Sequence, residues 1–169
     1  MSDSLKAEFR KELKAHGNRV THQDYAVVID FNLPVCSRRL WLLDLKNDEI
    51  LLNTHVSHAL QSGYFYAKKL SNVPQSYKSS AGSFVTKNDY HGKFGYSMRI
   101  EGLEPQNSNV RKRTIVFHPM TRIKYGNYTL PSWFAIYSMG CFAPRTEAMN
   151  LIIGKTKNSR FVFVKEYLD

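Results

Sequence analysis

Two nearly unbroken apolar runs constrain this chain most. Residues 25–31 read YAVVIDF and residues 39–45 read RLWLLDL. Runs this short and this rich in β-branched, aromatic and leucine side chains predict strands covered on both faces. The polar triplet Lys46-Asn47-Asp48 then supplies turn chemistry. Residues 49–58 alternate, with Ile50, Leu52, Thr54 and Val56 on one side and Leu51, Asn53, His55 and Ser57 on the other. Together the three segments predict a meander.

Further strand signals follow at 83–86, 96–103, 113–118 and 161–164. In the third of these, Thr114, Val116 and His118 are expected on one face, and Pro119 ends the strand because it has no ladder N–H. Residues 4–16 place Leu5, Phe9 and Leu13 on one helical face, with Gly17 as a natural stop. Residues 146–154 predict a short helix. Residues 61–82 form a long loop, which in a compact domain is usually functional. Residues 121–138 read as irregular. The expected fold class is mainly β, a sandwich or mixed sheet with one or two short helices and an N-terminal accessory helix. Residues 1–20 are assigned to that helix and residues 21–169 to a single domain, a size that one core can serve.

Charge narrows the choice of partners. With 24 Lys and Arg against 14 Asp and Glu, the net charge is +10. Such a surface steers anions inward, whether nucleic acid, anionic lipid or small acidic molecules. A basic nucleic-acid-binding module would show steep salt dependence, but the aromatic-and-glycine signature of common RNA readers is missing, so no nucleic acid is expected. Residues 1–20 contain no apolar core of an export signal. No apolar run approaches the ~20 residues that span a bilayer. The expected location is therefore cytoplasmic, with no membrane partner. The sequence does not fix an oligomeric state.

Two cysteines, Cys36 and Cys141, are too few for a disulfide framework. Cys36 has no acid or histidine close in sequence and reads as structural. Cys141 ends the run Ser138-Met139-Gly140-Cys141, and His118 stands 23 residues earlier at a predicted strand end. A thiol becomes a strong nucleophile when a base or cation helps it to ionise, and histidine titrates in the right range. Gly140 allows a tight turn that brings backbone N–H groups near a carbonyl. From these residues alone, a buried structural cysteine is the favoured reading. His55 and His58 form H-x-x-H, but zinc wants three or four ligands and these two point to opposite faces of a strand. No metal and no cofactor are expected.

Several blocks occur in an order that resembles the L,D-transpeptidase catalytic-domain family (YkuD-like), in its murein branch. Residues 25–31 and 39–45 resemble its opening strands, and His58 with Ser62-Gly63 resembles its histidine and Ser/Gly turn. Ser71-Asn72-x-Pro74 followed by Ser79-Ser80-Ala81-Gly82-Ser83-Phe84 is similar to S-N-x-P…S-S-x-G-x-F. Residues 95–103 (GYSMRIEGL) are similar to G-x-S-L-R-L-x-G-L. Arg113-x-Ile115-Val116-x-His118 matches R-x-I-V-x-H, and Ser138-x-Gly140-Cys141 matches S-x-G-C. The chain departs from the family at Pro119, Tyr137, Met139 and Phe142-Ala143-Pro144, where Gly, Arg, His and a basic residue or Asn are common.

The resemblance implies a fold and a chemistry. Cys141 would attack the carbonyl between the L-centre of a diamino acid and a D-residue, and His118 would act as base and then acid. A carbonyl beside His118, such as that of Pro119, would fix its tautomer. Ser138, Met139 and Gly140 would support the motif and its oxyanion donors. His58, Tyr96 and Arg113 are candidates to line the substrate site, with a structural role the favoured alternative for His58 and a solvated surface position an equal alternative to gripping a substrate carboxylate for Arg113. The expected activity is that of a cysteine L,D-carboxypeptidase removing the terminal D-alanine from murein tetrapeptides in peptidoglycan recycling. An exported transpeptidase that cross-links stem peptides is the alternative. A muropeptide is the expected partner in either case.

Overall fold

A computed structural model describes residues 1–120, 124–125, 128–129 and 137–168. Helix α1 (Asp3–His16) comes first. The strands are β1 (Tyr25–Asp30), β2 (Leu40–Asp44), β3 (Glu49–Thr54), β4 (His58–Ala59), β5 (Gly82–Gly92), β6 (Gly95–Gly102), β7 (Val116–Phe117), β8 (Lys124–Tyr125), β9 (Tyr128–Thr129) and β10 (Tyr137–Ser138). Helix α2 (Thr146–Thr156) and strand β11 (Phe161–Lys165) close the described chain.

The main sheet runs β3-β2-β1-β11-β5-β6-β7. The last strand of the sequence enters its middle. It pairs parallel with β1, Val28 opposite Phe163, and antiparallel with β5. Of the two expected architectures, the mixed sheet is the one observed, mainly β with helices on its faces. The first three strands form the expected meander.

The position of β1 explains its unbroken apolar sequence. Val27 and Ile29 face a cluster with Val162, Val164, Phe84, Phe142 and α2 residues Met149, Ile152 and Ile153. Ala26 and Val28 face the other side, among Leu5 and Phe9 of α1, Trp41, Phe161 and Phe163. A strand covered on both faces has no solvent side on which to place polar residues. Helix α1 starts where the Ser2 hydroxyl accepts the Leu5 N–H at 3.2 Å, and each apolar side chain it buries supplies ~1.5–3 kcal/mol of transfer free energy.

Helix α1 ends at His16 with Gly17 as its C-terminal cap, as expected; Gly17 has φ −60° and a 3₁₀ turn through Arg19 follows. Two local expectations need correction. Strand β5 extends to Gly92, because residues 89–92 pair with β6 beyond a bulge, which 83–86 alone did not suggest. The stretch 113–118 is not one strand. Thr114 has φ +55°, a conformation costly for a β-branched residue, and its N–H bonds to the Arg111 carbonyl at 3.1 Å. Only Val116 and Phe117 pair with β6, so Thr114 does not continue their alternation. The irregular stretch expected at 121–138 lies outside the described residues except for β8, β9 and β10.

Candidate active site

Cys141 and His118 are brought together by a short parallel pairing. Phe117 and Phe142 form a bridge, with the Phe142 N–H on the Val116 carbonyl at 3.0 Å and the His118 N–H on the Phe142 carbonyl at 3.1 Å. Both phenylalanines are fully buried, their rings 5.2 Å apart between centroids. Neighbours along a strand point to opposite faces. Because both phenylalanines point into the core, Cys141 and His118 share the outer face. Strand spacings put their Cα atoms roughly 8 Å apart, within reach of a thiol and an imidazole.

Each group is tuned by its surroundings. His118 is 7% exposed. Burial lowers its pKa below the ordinary imidazole value. Its Nδ1 lies 2.9 Å from its neighbour's carbonyl, Pro119 O. A carbonyl only accepts, so Nδ1 carries the proton and the neutral ring presents Nε2 as a bare base. Nε2 has no hydrogen-bond partner among the described residues. Cys141 is partly exposed. Burial raises its pKa, while the Val116 N–H and the Arg113 charge pull it down. Its Sγ rests 3.7 Å from the Thr114 carbonyl oxygen. A protonated thiol beside a neutral imidazole is the resting pair this arrangement favours, to be converted to the reactive ion pair when a substrate excludes water.

The turn before the cysteine is knitted by Ser138. Its Oγ accepts the Gly140 N–H at 3.1 Å and donates to the Cys141 carbonyl at 2.7 Å. Gly140 has φ +121°, and an added Cβ would lie 3.0 Å from the Lys78 carbonyl oxygen, so glycine is required there. Of the N–H groups of Met139, Gly140 and Cys141 expected to face an oxyanion, that of Gly140 is already bound to Ser138 Oγ. The Cys141 N–H has no partner among the described residues and can donate to an oxyanion. Met139, 76% exposed, projects its side chain into solvent beside the cysteine.

The model of the L,D-transpeptidase catalytic domain family, YkuD_2, matches residues 2–165.

The chain belongs to the L,D-transpeptidase catalytic domain family.

Solved structures agree on the fold. The Enterococcus faecium L,D-transpeptidase, as a cysteine-to-serine mutant, superposes with a TM-score of 0.51 at 14% identity, covering 84% of this chain and 50% of that one. The helical cell shape determining protein Pgp2 of Campylobacter jejuni gives 0.56 at 11% identity, covering 100% and 58%. The chain thus spans about half the length of the solved proteins it matches. A search of curated proteins found no match.

Within this L,D-transpeptidase domain, the remaining sequence candidates fall in different places. His58 is fully buried. Its Nδ1 accepts from the Arg39 guanidinium at 2.7 Å, and its Nε2 donates to the Gly63 carbonyl at 2.7 Å. Burial and then the Arg39 charge lower its pKa to about 4. The substrate-binding role expected for His58 is corrected: its ring is a neutral internal bridge. Arg113 is corrected likewise. Its donors are taken by the carbonyls of Ser71 and Lys78 and the hydroxyls of Ser80 and Ser76, so it fastens the 71–80 loop beside Gly140 instead of offering a fork to a carboxylate. Tyr96 lines an open cavity of about 580 Å³ with Phe94, Pro119, Met120 and Met149. Its hydroxyl is held by Asp89 at 2.5 Å, so only its ring faces the cavity. Cys36 is exposed, not packed as a structural cysteine would be.

Two contributors were absent from the sequence reading. Arg39, fully buried, reaches Val56 and Leu33 carbonyls as well as His58. Burial lowers its pKa to about 9, so it stays charged at neutral pH. Its place at the head of an apolar run was the one available signal. Phe94 stacks on His118, and no sequence pattern pointed to it. The only group of three metal-capable side chains among the described residues, Glu12, His16 and Glu104, lies between α1 and the segment just after β6.

Proposed function

We propose that this domain is a cysteine L,D-carboxypeptidase that removes the terminal D-alanine from murein tetrapeptides during peptidoglycan recycling in the cytoplasm. The observation that carries the chemistry is the shared outer face of Cys141 and His118, with Nδ1 of the imidazole tied to the Pro119 carbonyl and Nε2 without a partner among the described residues. Cys141 attacks the carbonyl on the L-centre. Its proton passes to His118 Nε2, and the oxyanion meets the Cys141 N–H. The imidazolium then protonates the departing D-alanine amine, leaving a thioester on Sγ. Water, activated by the same imidazole, releases the tripeptide and regenerates the thiol. Soluble muropeptides carry several carboxylates, and a net charge of +10 favours their capture.

A second reading follows from the same thioester. Met139 and Leu60 are both exposed, and their strand neighbours Ser138 and Ala59 are paired, which sets an open apolar rim next to Cys141. Such a rim leaves room for an acceptor peptide, whose amine would replace water and make a cross-link. Purified protein incubated with a tetrapeptide, with and without an acceptor amine, decides between them. The expected products are tripeptide and free D-alanine in both incubations. A cross-linked dimer as the main product would move the assignment to transpeptidation, and equal turnover by Cys141→Ala would remove the nucleophile. Fractionation of native cells tests the location.

A further inference from the structure

The tip of the β5–β6 hairpin reaches over the site. Gly92 and Gly95 are its last pair, so Lys93 and Phe94 alone make the turn. Gly95 has φ +98°, and a Cβ there would touch Pro119 at 3.4 Å. The turn is therefore seated on the segment that carries His118. Phe94 is 45% exposed. Its ring lies almost flat on the imidazole of His118, centroids 4.7 Å apart and planes 25° from parallel.

We propose that Phe94 is a positioning residue for the reaction: its ring covers one face of the His118 imidazole, holding the plane in which Nε2 meets Cys141 and keeping water off the base. The proposal rests on the reading of Cys141 and His118 as nucleophile and base. Three constraints then define the imidazole. Nδ1 is fixed by the Pro119 carbonyl, one face is closed by Phe94, and the backbone is fixed by the bond from His118 N–H to Phe142. The edge carrying Nε2 is what remains for chemistry. A base that must accept a proton and return it within one turnover gains from such a fixed plane. Phe94 also walls the 580 Å³ cavity with Tyr96 and Met149.

The ionisable groups on the surrounding elements are Lys87, Asp89, Tyr90 and His91 on β5, Lys93 in the turn, Tyr96, Arg99 and Glu101 on β6, Arg113 ahead of β7, and Cys141 and Arg145 beside it. Among the described residues, none of the carboxylates is paired with His118. The lowered affinity of the imidazole for protons comes from its burial, part of which Phe94 supplies.

The test uses the full chain, with iodoacetamide alkylation of Cys141 followed against pH by peptide mass, so that the exposed Cys36 is read separately, and tetrapeptide turnover measured in parallel. Phe94→Ala is expected to lower kcat/KM about ten-fold, mostly in kcat, with an unchanged Tm because the residue sits at an exposed turn. The acid limb of the alkylation profile should move up towards the value of a free imidazole. Phe94→Trp should restore both, whereas Phe94→Leu, apolar but not flat, should not. An alkylation profile and kcat in Phe94→Ala equal to wild type, while His118→Gln changes both, would overturn this inference alone. Profiles unchanged in both variants would remove the Cys141–His118 pairing and this inference with it.

Discussion

His58 and His118 are two versions of the same arrangement. Each sits in or just past a short strand at the edge of the active-site region, each is buried, and each has its pKa lowered by that burial. Each gives one ring N–H to a carbonyl, Gly63 for one and Pro119 for the other. They differ at the second nitrogen. In His58 it is filled by Arg39 at 2.7 Å. In His118 it is empty among the described residues, and a partly exposed thiol shares its face. A carbonyl partner and a depressed pKa therefore do not mark a catalytic histidine. The uncommitted nitrogen does.

The largest effect that can break this comparison is on turnover. His118→Gln keeps a donor for the Pro119 carbonyl but has no titratable nitrogen. Tetrapeptide hydrolysis should fall ~10³-fold, within the range that general acid–base groups contribute, with Tm nearly unchanged. A variant within ten-fold of wild type would put His118 on the same footing as His58.

The complementary change should act on stability and leave chemistry alone. His58→Leu removes the acceptor for a buried guanidinium and the donor to Gly63. Arg39 keeps the Val56 and Leu33 carbonyls, so losing the His58 acceptor and the donor to Gly63 should cost about 1–3 kcal/mol. Denaturant titration should show that loss, and the folded fraction should still be alkylated at Cys141 with the wild-type pH profile. A stable variant with lost turnover would reverse the roles of the two rings.

A third effect is pH dependence, with opposite readouts for the two residues. The folded-state pKa of His58, about 4, is below its unfolded value near 6.5. Its contribution is complete above pH 6.5 and is lost as pH falls towards 4, when the unfolded chain takes up the proton first. The loss amounts to roughly 2–3 kcal/mol over that window. His118 titrates in the same direction, so the acid limb of turnover should lie below pH 6.5 while the protein is still folded. Urea midpoints measured across pH 4–7 for wild type and His58→Gln separate the two, since the variant should lose much of its acid sensitivity.

How far the sequence showed this depends on what each residue responds to. The strands of the core were legible because apolar periodicity reports burial directly, as in 25–31 and 39–45. Cys141 and His118 were legible only as a pairing by ordered motif, since twenty-three residues of chain separate them and a local pattern carries no information about which faces meet. The break at Thr114 was hidden because alternation cannot announce a left-handed residue. Arg113 was misread because its four acceptors come from a loop more than thirty residues away. The stacking of Phe94 depends on the whole length of β5, whose outer half is polar enough to pass for loop. His58 was grouped with the site because motif resemblance shows that a histidine is present, not which of its nitrogens is free.

The smallest effect comes from a third ring that tests whether the comparison generalises. His55 Nε2 lies 2.9 Å from the Cys36 carbonyl, and its pKa is lowered first by burial and then by the Arg145 charge. It has the carbonyl bond of the other two but is only partly buried. If saturation of the second nitrogen by a buried partner is what makes His58 structural, His55 should matter little. His55→Gln keeps a donor for the Cys36 carbonyl and should cost under about 1 kcal/mol, the usual worth of one partly exposed hydrogen bond. Turnover and the alkylation profile should match wild type. A loss as large as that of His58→Leu would mean that the carbonyl bond itself, and not the Arg39 contact, carries the structural role, and the contrast between the two buried rings would have to be redrawn around Gly63 and Pro119.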